Sequence, residues 1–145
     1  MNNELRFNGE THPLSNFYPA KINVDGKIYK TAEHYYQSEK ATNTMDKSRV
    51  MQAESPSNAR RIGKQIKKRA DFDEIKDIIM YKGVKAKFTQ NVEVKAYLLA
   101  TGDRYLIEDA SFSPYWGTGY NDMGENKMGK MLMQIRDELK QEMIS

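Results

Sequence analysis

FYPAKINVDGKIYKTAEHYYQSEK, residues 17–40, decides the fold class, because a strand hairpin passes directly into a helix inside it. Asp25-Gly26 stands between two short strand-forming runs and is a two-residue hairpin signal. Thr31 is placed to cap a helix expected from Ala32 to Ala41. A chain that opens on strands and turns helical this early is either a wrapped α/β domain or a segregated α+β one.

The remaining segments choose between them. ELRF, residues 4–7, alternates as a short strand, and a polar loop follows to Leu14. After residue 40 the pattern is helical. A second helix is expected over Asp46–Ala53. A third opens on Ser55-Pro56, a cap followed by Pro at the first helical position, and runs to about Lys68. Asp73–Phe88 carries Ile75, Ile78, Ile79, Val84 and Phe88 near helical spacing. Asn91–Ala100 is a further helix, closed by Thr101-Gly102-Asp103. RYLIED, residues 104–109, reads as a strand, residues 110–126 as a Gly-containing loop, and Lys127–Met143 as the last helix. Strands do not alternate with helices, so the expected fold is α+β, a compact, mainly helical single domain over residues 1–145.

Composition agrees with one ordinary domain: 145 residues, 39% hydrophobic, nine Gly and four Pro. The absence of cysteine removes disulfides, thiolate metal clusters and Cys nucleophiles. The N-terminus is polar and acidic rather than a signal peptide, and no run is apolar enough to span a bilayer, so a cytoplasmic location is expected. Two histidines without an HExxH pattern or an Asp-rich loop give no basis for a metal, and no cofactor motif is present. The net charge of +3 is mild. RRIGKQIKKR, residues 60–69, concentrates six cations without an acid and reads either as a solvated helix face or as a phosphate-facing patch.

Three stretches carry chemistry. On the first helix Glu33, Gln37 and Lys40 share a face, with Tyr36 beside Lys40, while His34 points about 100° away from Glu33. This set is either a surface ladder or a partly buried site, and a buried Glu and Lys are costly unless paired. In SPYWGTGYNDMGENKMGKMLM, residues 113–133, the single Trp116 neighbours Gly117 and Gly119. It reads either as a core plug or as a stacking wall for a planar base, with a helix N-terminus near Asn126 open to an anion. In LSNFYPA, residues 14–20, Ser15-Asn16 is either a self-bonded turn or a donor to a ribose hydroxyl or base edge.

Together these motifs carry a likeness. LSNFY, the Asp-Gly hairpin, TAEHYYQSEK, ESPSNARRIGK, MYKGVKAKFTQN, YLLATGD with LIE, YWGTG and GENKMGKMLMQIR, in that order, resemble the NADAR family from about Phe7 to Arg136. The resemblance implies a mainly helical α+β fold and N-glycosidase activity. Its substrates would be phosphorylated ribosylamine intermediates of the riboflavin pathway, or ADP-ribosylated guanine in DNA. It implies Glu33 as the catalytic carboxylate and Lys40 as an amine of the same site. Ser15, Asn16, Phe17, Tyr36, Gln37, Trp116, Gly117 and Asn126 would contact substrate.

Two positions depart from the family pattern. Phe72 stands where many members have Trp, a packing change. Ser113 stands where many have Asp, a position read either as a proton relay or as a ribose-hydroxyl acceptor. Breaking a C1–N bond calls for a carboxylate to steady positive charge at C1 and orient water. The alternative is an uncharged Lys40 that attacks C1 as an imine-former, with Lys87 as the reserve amine. Two other classes remain open on the residues: a non-catalytic ADP-ribose or nucleotide-binding module, and a nucleic-acid-binding protein using residues 60–69.

Overall fold

The Asp25-Gly26 turn forms as expected, with φ of 53° and 83° at its two central residues. Both values are left-handed, the geometry that lets a two-residue turn follow the twist of its strands. The structure is a computed structural model that describes residues 3–144; Met1, Asn2 and Ser145 lie outside the described residues. Its elements are β1 (Glu4–Phe7), β2 (Ile22–Val24), β3 (Lys27–Tyr29), α1 (Ala32–Ser38), α2 (Thr44–Met51), α3 (Pro56–Gln65), α4 (Phe72–Gln90), α5 (Val92–Ala100), β4 (Tyr105–Glu108) and α6 (Lys127–Ile144). The chain divides into two compact units, Asn16–Asn91 and the segments on either side of it.

In the unit Asn16–Asn91, β2 and β3 pair antiparallel, with Ile22 opposite Tyr29, and α1 packs against α2, α3 and α4. All seven residues of α1 are buried, polar ones included. Two glycines allow this close packing. A Cβ on Gly83 of α4 would stand 2.5 Å from Cδ2 of the Tyr35 ring, and one on Gly63 of α3 would overlap the Gln37 amide.

Helix boundaries shifted from their expected positions for local reasons. α1 stops at Ser38, whose Oγ donates to the Tyr35 carbonyl at 2.8 Å, and the chain tightens into Lys40 N–H to Gln37 O. Lys40 therefore lies beyond the helix rather than on its face. α2 starts earlier than expected, at Thr44, because Asn43 caps it by accepting from the Asp46 N–H at 2.8 Å. α3 ends at Gln65, where Ile66 turns extended and enters a small core with Val50, Ala53 and Ala59. The cationic run of residues 60–69 is thus only half helical.

In the other unit, β1 and β4 pair in parallel, with Leu5 opposite Leu106. The α6 face of Met128, Leu132, Ile135 and Leu139 is buried, and α6 packs on β4 and α5. Arg136 is also buried on this helix. It donates to the Thr101 hydroxyl and the Arg104 carbonyl, both at 2.9 Å, and so fastens the turn that leads into β4.

Candidate functional site

Glu33 is a buried carboxylate, 3% exposed, in the first turn of α1. That position suits its charge, because the helix N-terminus is the positive end of the backbone dipole. Its backbone N–H donates to the Asn16 carbonyl at 3.2 Å, which ties the LSNFY segment to the start of the helix. The carboxylate Oε2 accepts from Gln37 Nε2 at 2.7 Å and from Arg60 Nε at 3.2 Å. The Arg60 guanidinium in turn lies 4.4 Å from the centroid of Phe17, a stacked arrangement that holds the fork in place.

Gln37, 4% exposed, uses its amide N–H toward Glu33, and its Oε1 faces Gly63 with no hydrogen-bond partner among the described residues. Lys40 is half-buried past the end of α1. Its Nζ sits 5.8 Å from the Tyr36 centroid and 5.6 Å from the Phe72 centroid, and its carbonyl accepts from Arg69 N–H at 2.8 Å. Burial lowers the Lys40 pKa; Lys68, Lys64 and Arg60 push it the same way while Glu33 opposes them. The effect is an amine that gives up its proton more readily than a free lysine.

His34, one residue from Glu33, belongs to the scaffold. Its Nε2 donates to the Ala53 carbonyl at 3.0 Å, which leaves Nδ1 to accept from the Thr31 hydroxyl at 2.8 Å. Burial lowers its pKa and favours that neutral form. Lys87 has no exposed surface at all, and burial brings its pKa down to about 7. Its Nζ rests 4.8 Å from the Phe88 centroid and 5.7 Å from that of Tyr18. Asn16 is buried and donates from Nδ2 to the Met80 sulfur at 3.3 Å, and Ser15 closes a turn onto the His12 carbonyl at 2.9 Å.

Of the residues singled out in the sequence, Gln37 holds the Glu33 carboxylate, the Asn16 backbone carbonyl accepts from Glu33 N–H, and Phe17 backs the Arg60 that bonds it. Tyr36 and Lys40 gather at Phe72 in the same unit. Trp116, Gly117 and Asn126 belong to the other unit and build a loop there. Trp116 N–H donates to Ser113 Oγ at 3.2 Å, so Ser113 keeps a turn-forming role without a carboxylate. The Trp116 ring stands edge-on to Tyr115 at 4.9 Å. Gly117 is needed for close approach: a Cβ there would lie 2.7 Å from the Glu108 carbonyl. Asn126, at φ 50°, accepts from Glu108 N–H at 2.9 Å and donates to the Leu106 carbonyl at 2.9 Å. Its amide therefore brackets β4.

Arg60 and Gly63 are the site residues that the sequence reading missed. Arg60 sat inside a run read for its charge alone, and nothing in the residue order pairs it with Glu33. Among the described residues no three His, Asp or Glu side chains converge as a metal cage, and no helix is long and apolar enough to cross a membrane.

Known proteins resemble this chain along most of its length. The NADAR domain model matches residues 6–140. The N-glycosidase YbiA of Shigella boydii is 38% identical over 87% of this chain and 80% of that protein. A riboflavin biosynthesis protein of Vibrio vulnificus is 36% identical over 88% of this chain, which covers 35% of that longer protein. The solution structure of the Escherichia coli protein YbiA superimposes with a TM-score of 0.89 at 32% identity, over all of this chain and 90% of that one.

Proposed function

The chain belongs to the NADAR family, and on that premise we propose that it is an N-glycosidase acting on the C1–N bond of a phosphorylated ribosyl or ADP-ribosyl substrate. The observation that carries the reading is the Glu33 carboxylate, buried and doubly hydrogen-bonded, within electrostatic reach of the half-buried Lys40 amine. Isolated buried carboxylates are costly, and an acid held this way within reach of a destabilised ammonium is an arrangement that active sites use.

Net hydrolysis breaks C1–N and forms C1–O, with one water supplying the hydroxyl to C1 and a proton to the leaving nitrogen. In the direct route Glu33 steadies positive charge at C1 and the ring oxygen and orients that water. In the covalent route the sugar ring opens and the uncharged Lys40 Nζ attacks C1. The leaving amine departs with a proton, and water then hydrolyses the C1=N imine to return Lys40. Glu33 serves as the proton shuttle in this route. Gln37 and Arg60 hold the carboxylate, and Phe17 backs the Arg60 guanidinium. Residues 1–145 act as a single domain in this reading, which a single cooperative melting transition would support.

The name of the Vibrio vulnificus relative favours a riboflavin-pathway ribosylamine; ADP-ribosylated guanine is the second class the proposal covers, and one assay separates them. The protein is incubated with a phosphorylated pyrimidine ribosylamine and, separately, with an oligonucleotide carrying ADP-ribosylated guanine. Release of amine or restoration of unmodified guanine identifies the class. Tight nucleotide binding with no turnover of either would return the chain to a binding module.

A further inference from the structure

Cations crowd one side of Glu33 well beyond what the carboxylate needs. α3 runs along α1 with Arg60 on Glu33 and Gly63 on Gln37, so Lys64, one turn after Arg60, continues along the same line toward Lys40. The chain after α3 brings Lys68 back to the same place: the Lys40 and Lys68 ammonium groups lie 5.6 Å and 6.0 Å from the centroid of one ring, Phe72. The Arg69 N–H to Lys40 carbonyl bond, 2.8 Å, pins that return.

The local charges do not balance. Arg60 is matched by Glu33 and Lys68 by Asp73, at 3.1 Å to both carboxylate oxygens. Lys40 and Lys64 make no ion pair among the described residues. Like charges held this close oppose one another, and the depressed pKa of Lys40 carries contributions from Lys64, Lys68 and Arg60. A fold that gathers cations beside a buried acid, at that cost, is ready for an anion.

We propose that Lys64, with Lys68 and Arg60, forms a phosphate-holding edge on the Glu33 site, which grips the phosphate of the substrate while Glu33 faces the sugar. The proposal rests on the N-glycosidase reading only for the identity of the substrate; the anion site itself follows from the charges. Binding energy gathered at a phosphate remote from C1 fixes the sugar against the carboxylate. The phosphate belongs to the small substrate rather than to a nucleic-acid strand, because Arg60 is bonded to Glu33 and Lys68 shares the Phe72 ring with Lys40, which draws these cations together beside α1. Once α3 ends at Gln65, residues 66–69 no longer continue its stripe.

Inorganic pyrophosphate is the probe, titrated calorimetrically into wild type, Lys64→Gln and the control Lys67→Gln. The control removes the same charge from the same run, at a residue that is not among the charges acting on Lys40. Lys64→Gln is expected to weaken pyrophosphate binding by about tenfold or more, the scale of one charge-assisted contact, with Lys67→Gln near wild type. With the phosphorylated ribosylamine, Lys64→Gln should raise KM similarly, and its phosphate-free counterpart should show no change. Equal affinities for pyrophosphate in wild type and Lys64→Gln overturn the proposal, as does a loss shared equally by Lys67→Gln. A loss confined to an unmodified oligonucleotide overturns it too, and assigns the charge to a strand. Pyrophosphate binding that depends on Lys64, in a protein that hydrolyses neither substrate, supports this anion site and overturns the hydrolase reading alone.

Discussion

Arg60 Nε lies 3.2 Å from Glu33 Oε2, and this single contact links the cationic run of the sequence to its buried acid. The guanidinium is planar, stacked on Phe17 and aimed by that stacking. A lysine can supply the charge there but neither the plane nor the fork. Arg60→Lys is therefore expected to lower kcat/KM by about tenfold or more, the scale of one charge-assisted hydrogen bond. Arg60→Met should lose more and also lower the melting temperature, since it leaves a buried carboxylate with one donor fewer. Steady-state kinetics and thermal melts on both variants read the two effects.

Gly63 is the test of how tightly α3 must approach α1. In an exposed helix interior, Gly→Ala stabilises by about 1 kcal/mol. At Gly63 the added methyl overlaps the Gln37 amide, and Gln37 cannot yield without releasing Glu33. Gly63→Ala is expected to destabilise by about 1–3 kcal/mol, as overpacking does, and to lower kcat in the molecules that still fold. Gly83→Ala, which meets the Tyr35 ring, should cost stability alone. Denaturant unfolding paired with activity per folded molecule separates the two.

Lys87 makes stability depend on pH. Its pKa of about 7 in the folded chain lies below the value of about 10.4 expected for an unfolded lysine. Between these values the unfolded chain binds more protons than the folded one, so folding stability rises as pH increases from about 7 toward 10. Below pH 7 both states are protonated and the burial of a charge weighs fully against folding. Lys87→Met is expected to flatten this slope. Melting temperatures of wild type and variant, measured from pH 6 to pH 9.5, should converge as pH rises. A constant offset would remove Lys87 as the cause.

Asn126 separates a scaffold role from a substrate role. Both ends of its amide are engaged by the backbone of β4 at 2.9 Å. Asn126→Ala should lower stability by about 1–3 kcal/mol, the cost of orphaned buried backbone groups, and leave KM of the folded fraction near wild type. A rise in KM without loss of stability would move Asn126 into contact with substrate.

Much of this could be read from residue order, and the failures have physical causes. Asp25-Gly26, Thr31 and Ser55-Pro56 announced their turn and caps, because each acts through its own backbone and needs no distant partner. The ends of α1 and α3 escaped for the opposite reason. Ser38 competes for its own helix carbonyl, and Ile66 leaves its helix to fill a core assembled from α2 and α3. The crowding of aromatics at residues 35 and 36 correctly pointed to a buried helix. Spacing alone placed Lys40 on that helix, and the tightening turn moved it off. Arg60 on Glu33 was invisible, because a pairing across 27 residues depends on how two helices pack.

The central claim is that the Glu33 carboxylate performs the chemistry. Glu33→Gln keeps the shape and the α1 packing while removing the charge, and circular dichroism verifies that it folds. With the substrate that wild type hydrolyses, the variant is predicted to lose at least about a hundredfold in kcat, the scale of a general acid–base contribution. Wild-type kcat in a folded Glu33→Gln protein would contradict the account.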